Sequence, residues 1–231
     1  MTSWGVRLRE TRALPGPACR APPGVPRSAR MVIELLAEKR PGQPDERVVV
    51  CGVSWEDYIA FDRKLGDDRP SPRLYYVDGE LEIVTPSAKH KTLKTWIGDF
   101  IGDFLFERDI DAFPRGQATM RLLKTAVAEP DESWCLRKER RFPDLVLEVA
   151  LTSGGLPKLE IYRRFGVGEV WFWRNEKIEA WVLRADRSAY DLVKESVVLP
   201  GFDFALLARC LAMMPRWNEA RRAFRDALRA Q

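Results

Sequence analysis

Two hydrophobic periods run through the chain and separate predicted strands from predicted helices. Short runs of β-branched and aromatic residues favour strands. The clearest of them lie at residues 48–51, 74–77, 81–84, 145–149, 169–173, 178–183 and 190–193. A further strand is expected at 131–136, and two more, at 111–114 and 117–123, are expected to pair across an Arg-Gly turn. The Asp78-Gly79 pair between two of these runs is typical of a β-hairpin.

Apolar residues spaced three or four positions apart predict the helices. The longest is expected at 87–107, where one stripe comprises Leu93, Ile97, Phe100, Ile101 and Phe104. Ser54 and Asp57 resemble a capping box that begins a helix ending near residue 64. Other helices are expected after residue 158, at 204–214 and, beyond Pro215, at 217–230. The mixture predicts an α/β or α+β fold.

One strand carries a charge where the pattern predicts burial. The run from residue 145 to 149 predicts a central strand, yet Glu148 lies inside it. Burying an unpaired carboxylate costs several kcal/mol, roughly, so Glu148 needs a cation, a hydrogen-bond donor or a raised pKa. A helix that has Lys158 near its start follows this strand. We therefore expect Glu148 and Lys158 to act together at the edge of a buried sheet.

Composition excludes several classes of protein. The 231 residues, 45% of them hydrophobic, suffice for one sizeable domain with tails or for two small domains. The sequence has no run of about 18 apolar residues, so no membrane span is predicted. The four cysteines form no CxxC pair, which argues against a zinc ribbon or disulfide scaffold and favours a reduced, cytoplasmic setting. The single histidine, His90, excludes a multi-histidine metal site within one chain.

The net charge of +4 is unevenly distributed. Residues 1–30 hold six Arg and one Glu, so the remainder carries a net charge of −1. This Arg/Pro-rich extension has no hydrophobic period and is predicted to be disordered; alternatively, translation starts at Met31. We expect one domain at 31–214 and a basic C-terminal helix at 215–231. Because the folded body is nearly neutral, any contacts with nucleic acid should be local.

Two carboxylates could lie side by side on neighbouring strands. Asp131 precedes Glu148 by 17 residues, a separation that allows one strand, a tight turn and the next strand. Carboxylate oxygens suit Mg²⁺, and a lysine beside the ion could orient a water molecule or stabilise charge on a phosphate. Asp144 would lie about 13 Å from Glu148 along the same strand, which is too far for a shared ion. We expect Asp144 to start the strand instead.

The order of several motifs resembles a known family. They are SWEDY at 54–58, YYVDGELEIVTPSAKH at 75–90, EPD at 129–131, PDLVLEV at 143–149, KLEIYRRFGVGEVWFW at 158–173 and LPGF at 199–202. Together, over roughly residues 48–205, they resemble the Uma-two family of restriction-endonuclease-like proteins, within the PD-(D/E)xK nuclease superfamily. No single motif decides the resemblance; their order and spacing together carry it.

The resemblance implies a restriction endonuclease-like mixed β-sheet flanked by helices and a metal-dependent nuclease site that uses Mg²⁺ or Mn²⁺. Carried over by position, Glu80, Asp131 and Glu148 are the acidic metal-binding residues and Lys158 is the catalytic lysine. In the simplest superfamily pattern the lysine stands two residues after the glutamate, where this chain has Ala150. A lysine on the following helix can reach the same point because its stem is long and flexible.

The chain also departs from the family pattern. An aspartate usually stands four residues before the helix lysine, where this sequence has Gly154, and the usual Ser-Pro-Ser after the Glu-Val pair is replaced by Ala150-Leu151-Thr152-Ser153. His90 has two interpretations: on an apolar stripe it is ordinarily a hydrogen-bonded core residue, and its alternative role is an accessory residue of the site.

The function predicted from the sequence is a metal-dependent endonuclease that hydrolyses DNA, with a homodimer as a possible assembly. The alternative is a catalytically degenerate nuclease fold that binds nucleic acid or a protein partner, and a third hypothesis has RNA as the substrate. Geometry separates the first two. An active site requires the carboxylates of Asp131 and Glu148 to converge within about 4–6 Å, with Lys158 beside them. A solvent-facing Lys158 would favour the binding module.

Overall fold

The computed structural model describes residues 44–66, 69, 71–151 and 155–230. The predicted disordered extension, 1–30, lies outside the described residues, as does the start of the predicted domain at 31–43.

The described part of the chain forms five helices and eleven strands. The helices are α1 (Trp55–Leu65), α2 (Ala88–Glu107), α3 (Lys158–Phe165), α4 (Phe204–Leu211) and α5 (Trp217–Arg229). The strands are β1 (Glu46–Cys51), β2 (Arg73–Val77), β3 (Glu80–Thr85), β4 (Ala112–Pro114), β5 (Met120–Leu122), β6 (Ala126–Ala128), β7 (Glu132–Leu136), β8 (Leu145–Val149), β9 (Glu169–Arg174), β10 (Lys177–Leu183) and β11 (Tyr190–Val193).

The strands form two sheets. The first has the order β1-β3-β2-β6-β5 and is antiparallel. The second has the order β11-β10-β9-β8-β7-β4, and its β8–β9 pair is parallel, with α3 in the connection between them. The prediction of a mixed α and β fold is confirmed. The division into two sheets was not foreseen, because sequence periodicity does not report which strands pair.

Three hydrophobic clusters arrange these elements in layers. α1 packs on one face of the first sheet, around Tyr58 and Ile83. The other face of that sheet meets the second sheet and α3, around Val146 and Tyr162. α2, α4 and α5 cover the far face of the second sheet. The space between the two sheets is therefore closed on both sides, and polar groups placed there are shielded from water.

Local signals predicted the first hairpin and the starts of two helices correctly. Asp78 and Gly79 both have positive φ, 49° and 82°, as a two-residue hairpin turn between β2 and β3 requires. The side chains of Ser54 and Ser87 accept hydrogen bonds from backbone N–H groups in the first turns of α1 and α2. These features depend on residues close in sequence, so a local pattern suffices to find them.

The predicted pairing of the strands at 111–114 and 117–123 is wrong. β4 pairs with β7 in the second sheet, whereas β5 pairs with β6 in the first. The chain reverses instead at Leu122–Thr125, where Lys124 has a φ of 57° and the N–H of Thr125 donates to the carbonyl of Leu122. The Arg115-Gly116 turn lies between β4 of the second sheet and β5 of the first, so it connects the two sheets.

The basic C-terminal helix, set apart at 215–231 in the sequence, packs against α2. Ala220, Phe224 and Leu228 are fully buried in the shared core. Its exposed face carries Arg221, Arg225 and Arg229, which pair with Asp103 or Glu107 of α2. These arginines are engaged in ion pairs on the same protein.

Across the described ranges, no helix has both the length and the hydropathy needed to cross a membrane.

Candidate active site between the two sheets

Side-chain alternation on the strands places polar groups in the space between the sheets. On β2, Leu74 and Tyr76 face α1, so Arg73 and Tyr75 face the second sheet. On β8, Leu147 packs toward α2 and its neighbour Glu148 therefore points inward, toward the first sheet. Side chains separated by more than seventy residues in sequence thus meet in a region of low water access.

Asp131 and Glu148 occupy paired positions on neighbouring strands. The antiparallel register pairs Glu132 with Leu147, so one further step places Asp131 opposite Glu148. The backbone N–H of Val149 donates to Asp131 Oδ2 at 2.8 Å. Directly opposed residues in such a pair have Cα atoms about 4.5–5.5 Å apart. The structure thus places the backbone of Asp131, just before β7, beside that of Glu148 on β8.

Asp131 is held by two cationic partners. Its Oδ1 forms an ion pair with Arg73 and lies 2.6 Å from Nε2 of His90. Burial alone would raise the pKa of Asp131, but the charges of Arg73 and His90 outweigh it and lower the pKa well below its usual range. Because its pKa is lowered, the carboxylate of Asp131 is ionised, and because Asp131 is fully buried, that charge depends on these partners for its stability.

His90 links Asp131 to a second carboxylate. Its Nδ1 lies 2.7 Å from Asp45 Oδ2, and Asp45 also accepts a hydrogen bond from the backbone N–H of Ser87 at 2.7 Å. Burial alone would lower the pKa of His90, but the charge of Asp131 and the hydrogen bonds to both carboxylates raise it. An imidazolium that donates from both nitrogens fits this position. The structure therefore places His90 at the site, buried at the start of α2.

Two tyrosine hydroxyls contact Glu148, and that of Tyr75 also lies 2.6 Å from the backbone carbonyl oxygen of Glu129, which shares its single proton. The hydroxyl of Tyr75 lies 3.0 Å from Oε1 and 3.2 Å from Oε2, and the hydroxyl of Tyr162 donates to Oε1. Burial raises the pKa of Glu148; the charge of Lys158 opposes this rise, and the charge of Asp131 adds to it. Both tyrosines are buried and have pKa values well above the usual range, so they remain hydrogen-bond donors.

Lys158 points into the site from the first residue of α3. Its Nζ lies over the ring of Tyr75 and 3.6 Å from Oε2 of Glu82. Burial lowers the pKa of Lys158 to about 8, and the charges of Glu148 and Glu82 limit that fall. Lys158 therefore lies between the two sheets beside Glu82 and within the electrostatic reach of Glu148, rather than facing solvent. Ala150, at the end of β8, carries no such group.

Glu82, which sequence reasoning missed, belongs to this cluster. It is fully buried on β3 opposite Tyr75, and it pairs with Arg47 at 2.8 Å as well as with Lys158. The backbone N–H of Leu156 donates to it at 3.2 Å and so ties the start of α3 to the first sheet. The signal was present: Glu82 lies between Leu81 and Ile83, in the same kind of apolar context that singled out Glu148.

Glu80 lies two residues earlier on the same face of β3 but nearer the hairpin turn. Its side chain contacts Cys51, whose Sγ lies 3.7 Å from Oε1. The contacts of the described residues join Glu82, rather than Glu80, to Lys158. Asp144 stands apart, as expected: it pairs with Arg140 and accepts the N–H of Leu136 at 2.8 Å.

Gly155 allows the chain to pass close to Glu82 before α3 begins. Its φ is +97°, a conformation that residues with a Cβ rarely adopt, and a Cβ there would collide with Glu82 and Arg47. Gly155, three residues before the first residue of α3, thus affects how near Lys158 can come to the carboxylates.

Comparison with known proteins identifies the family. The model of the Uma-two (Uma2) family, described as "Putative restriction endonuclease", matches residues 55–212. The chain belongs to the Uma2 family. The match includes every site residue above except Asp45 and Arg47, which lie just before it.

The Uma2 chain was also compared with solved structures. It is similar to a putative nuclease of the DUF820 group from Anabaena variabilis ATCC 29413, with 15% sequence identity, 62% of this chain and 85% of that chain covered, and a TM-score of 0.42. No curated protein matches the chain.

The carboxylates of the Uma2 chain fit a Mg²⁺ ion by donor type. Asp131 and Glu148 supply hard oxygen ligands at paired positions, and a divalent ion would relieve the repulsion that adds to the raised pKa of Glu148. Among residues 44–151 and 155–230, apart from the few not described, no group of three or more His, Cys, Asp or Glu side chains is arranged to hold a metal. By donor type, a Mg²⁺ ion here would have two carboxylate ligands from the protein and would need water or phosphate oxygens for the rest of its shell.

Proposed function

We propose that this Uma2-family chain is a metal-dependent endonuclease that hydrolyses phosphodiester bonds in DNA. The observation that carries the proposal is the position of Lys158. A lysine at the start of a helix ordinarily projects into solvent, whereas this one lies between the sheets beside Glu82, within electrostatic reach of Glu148. Burying a protonated lysine is energetically unfavourable, and ionisable groups with perturbed pKa values cluster at active sites.

The residues would divide the work according to their chemistry. Asp131 and Glu148 would hold Mg²⁺ or Mn²⁺, which when bound polarises the phosphate and lowers the pKa of a water molecule. Lys158 would position the attacking water or stabilise the charge that develops on the phosphate oxygens. Tyr75 and Tyr162 would orient Glu148 through the hydrogen bonds they donate.

Glu80 was assigned to the site by family position. In the described contacts Glu82 is nearer to Lys158, so we propose that Glu82 positions the lysine and that any role of Glu80 passes through water. His90 would hold Asp131 in place, since its other nitrogen is anchored on Asp45.

A specific observation favours a second candidate, a catalytically degenerate protein that binds nucleic acid or a protein partner. The oxygens of Asp131 and Glu148 already have close partners: Arg73, His90 and the N–H of Val149 for the first, Tyr75 and Tyr162 for the second. A metal ion would have to share or replace some of these contacts.

A cleavage assay tests the proposed function. The purified chain is incubated with single-stranded, duplex and supercoiled DNA and with RNA, in Mg²⁺, in Mn²⁺ and in EDTA, alongside Glu148→Gln. We expect DNA cleavage that EDTA abolishes and added metal restores, and no cleavage by Glu148→Gln. Intact DNA under every metal condition, together with tight DNA binding, would favour the binding protein. Faster cleavage of RNA than of DNA would reassign the substrate.

The buried lysine predicts an unusual pH dependence of stability. The pKa of Lys158 is about 8 in the folded protein, against an ordinary value of 10.5. Between these values the unfolded chain binds more protons at this residue than the folded chain, so the free energy of unfolding rises as the pH increases. Below pH 8 both states are protonated and the cost of the buried charge is fully present. Across this window, the free energy of unfolding of the wild type should therefore increase by on the order of 1–3 kcal/mol relative to that of Lys158→Met.

The measurement is urea denaturation of both proteins in EDTA at several pH values from 7 to about 10.5, the ordinary pKa of a lysine. The comparison with Lys158→Met removes contributions from titrating groups that the charge of Lys158 does not reach; Glu148, whose pKa that charge lowers, is the exception. Parallel pH profiles for the two proteins would contradict a buried, protonated Lys158.

A further inference from the structure

A buried arginine is bound to one carboxylate oxygen of Asp131, a residue proposed to hold the metal ion. Arg73 is 4% exposed and forms an ion pair with Asp131 Oδ1, while its Nη2 lies 3.0 Å from Nε2 of His90. It reaches this point because β2 directs Arg73 and Tyr75 to the same face, toward the second sheet. Tyr75 contacts Glu148, so the two side chains of one strand engage the two carboxylates proposed to bind metal.

The charge of Arg73 also acts on both carboxylates. The charges of Asp131 and Glu148 both raise the pKa of Arg73 and outweigh the effect of its burial. Arg73 therefore lies in the field of the same two groups that Mg²⁺ would join. A guanidinium is effectively always protonated, so it cannot make room for a metal ion by losing a proton. It has to move away from Asp131.

The surrounding cluster balances its charges through protein groups. The anionic members are Asp45, Glu82, Asp131 and, when ionised, Glu148; the cationic members are Arg47, Arg73, Lys158 and protonated His90. Adding a divalent ion to this balanced set brings in two further positive charges at a buried point. Metal binding is therefore opposed by the cation already closest to the ligand oxygens.

We infer that Arg73 is an internal competitor of the metal ion: it serves as the counter-ion of Asp131 in the metal-free protein and must release Oδ1 for the ion to bind. The inference rests on the proposed metal site and adds to it the residue that sets its affinity. Such competition would explain why the two carboxylates of a nuclease-like site already contact other side chains of the same protein. Displaced from Asp131, the guanidinium would be available to a phosphate oxygen of the substrate.

Arg73 rather than His90 is the group that leaves. His90 is anchored on its far side by Asp45, which is itself tied to the backbone N–H of Ser87. Arg73 has Asp131 as its ion-pair partner, and its contact with the His90 ring brings two groups of like charge together. Releasing Arg73 therefore removes a repulsive contact as well as an attractive one.

The inference predicts two effects of opposite sign for Arg73→Gln. Without metal the variant should be less stable than the wild type, because Asp131 loses a buried counter-ion. Its affinity for Mn²⁺ should nevertheless be about 10-fold or more higher, because no cation competes for Oδ1. Arg73→Lys, which keeps the charge on a different stem, should lie between the two. An arginine with a purely structural role would change both properties in the same direction, weakening metal binding as it lowers stability.

The experiment is a titration of Mn²⁺ followed by electron paramagnetic resonance and by calorimetry, on the wild type, Arg73→Gln, Arg73→Lys, Asp131→Asn and the control Arg121→Gln. Arg121 is a matched control because it also pairs with a buried aspartate, Asp62, at 2.5 Å, away from the site. Tighter binding by Arg73→Gln, with Arg121→Gln unchanged, supports the inference. Equal or weaker binding by Arg73→Gln overturns it.

The outcomes separate this inference from the proposed function. If the wild type binds Mn²⁺ through Asp131 and Arg73→Gln binds it equally, the metal site stands and the competition is refuted. If neither protein binds Mn²⁺, the metal site itself is refuted. Should Arg73→Gln fail to fold, Arg73→Lys and the side-chain NMR signals of Arg73 in the wild type decide the matter: the signals should shift on addition of Mg²⁺, and unchanged signals in metal-bound protein refute the competition.

Discussion

Replacing Lys158 by methionine is expected to reduce DNA cleavage by at least about 10²–10³-fold while leaving the protein folded. The loss follows from the position of Nζ, which lies beside Glu82 and within reach of the charge of Glu148. Folding should be retained because methionine fills much of the same volume next to the ring of Tyr75. Glu148, whose pKa is already raised, can take up a proton when its cationic neighbour is removed.

The measurement is the single-turnover cleavage rate at saturating protein, with circular dichroism to confirm folding. Lys177→Met is the matched control, since Lys177 is exposed at the start of β10, two strands from β8 in the sheet order. Lys158→Arg tests whether charge alone suffices; we expect little recovery, because a guanidinium has a different shape and hydration. If Lys158→Met cleaved DNA at the wild-type rate, Lys158 would have no catalytic role and the main argument for the proposed function would fail.

The largest effect on stability is expected for Asp131→Asn. Asp131 is fully buried and carries the charge that Arg73 and His90 face. Removing one partner of a buried ion pair leaves the other charge uncompensated, which typically costs 3–5 kcal/mol, roughly. The loss should be greatest between the ordinary pKa values of Asp131, 3.8, and His90, 6.5, and should shrink as the pH rises through the raised pKa of His90.

Urea unfolding of the metal-free proteins measures this loss directly. Asp191→Asn is the control, because Asp191 also pairs with an arginine, Arg184, at 2.6 Å, but both side chains are at least half exposed. Solvent screens such a pair, so its removal should leave the unfolding midpoint close to that of the wild type. A similarly small change for Asp131→Asn would mean that Arg73 and His90 find other partners in solution.

Much of the secondary structure and part of the site followed from local sequence. The hairpin needed only Asp78 and Gly79 between two β-type runs, and α2 needed a serine cap and an apolar stripe. Glu148 could be predicted because burying a carboxylate within an apolar run costs free energy unless the carboxylate has a partner. The same argument, applied to Leu81-Glu82-Ile83, would have found Glu82. The family pattern pointed instead to Glu80, and a position in that pattern does not show which glutamate side chain faces the lysine.

Sequence alone determined which elements form, which of them carry charges into apolar surroundings, and to which family the chain belongs. Tertiary structure decided the division into two sheets and the contacts across the gap between them. Arg73 and Tyr75 reach Asp131 and Glu148 from 58 and 73 residues away along the chain. Alternation on a strand says which side chains share a face but not what that face meets. The buried lysine, the missed Glu82 and the arginine beside Asp131 therefore became visible only when the two sheets were placed face to face.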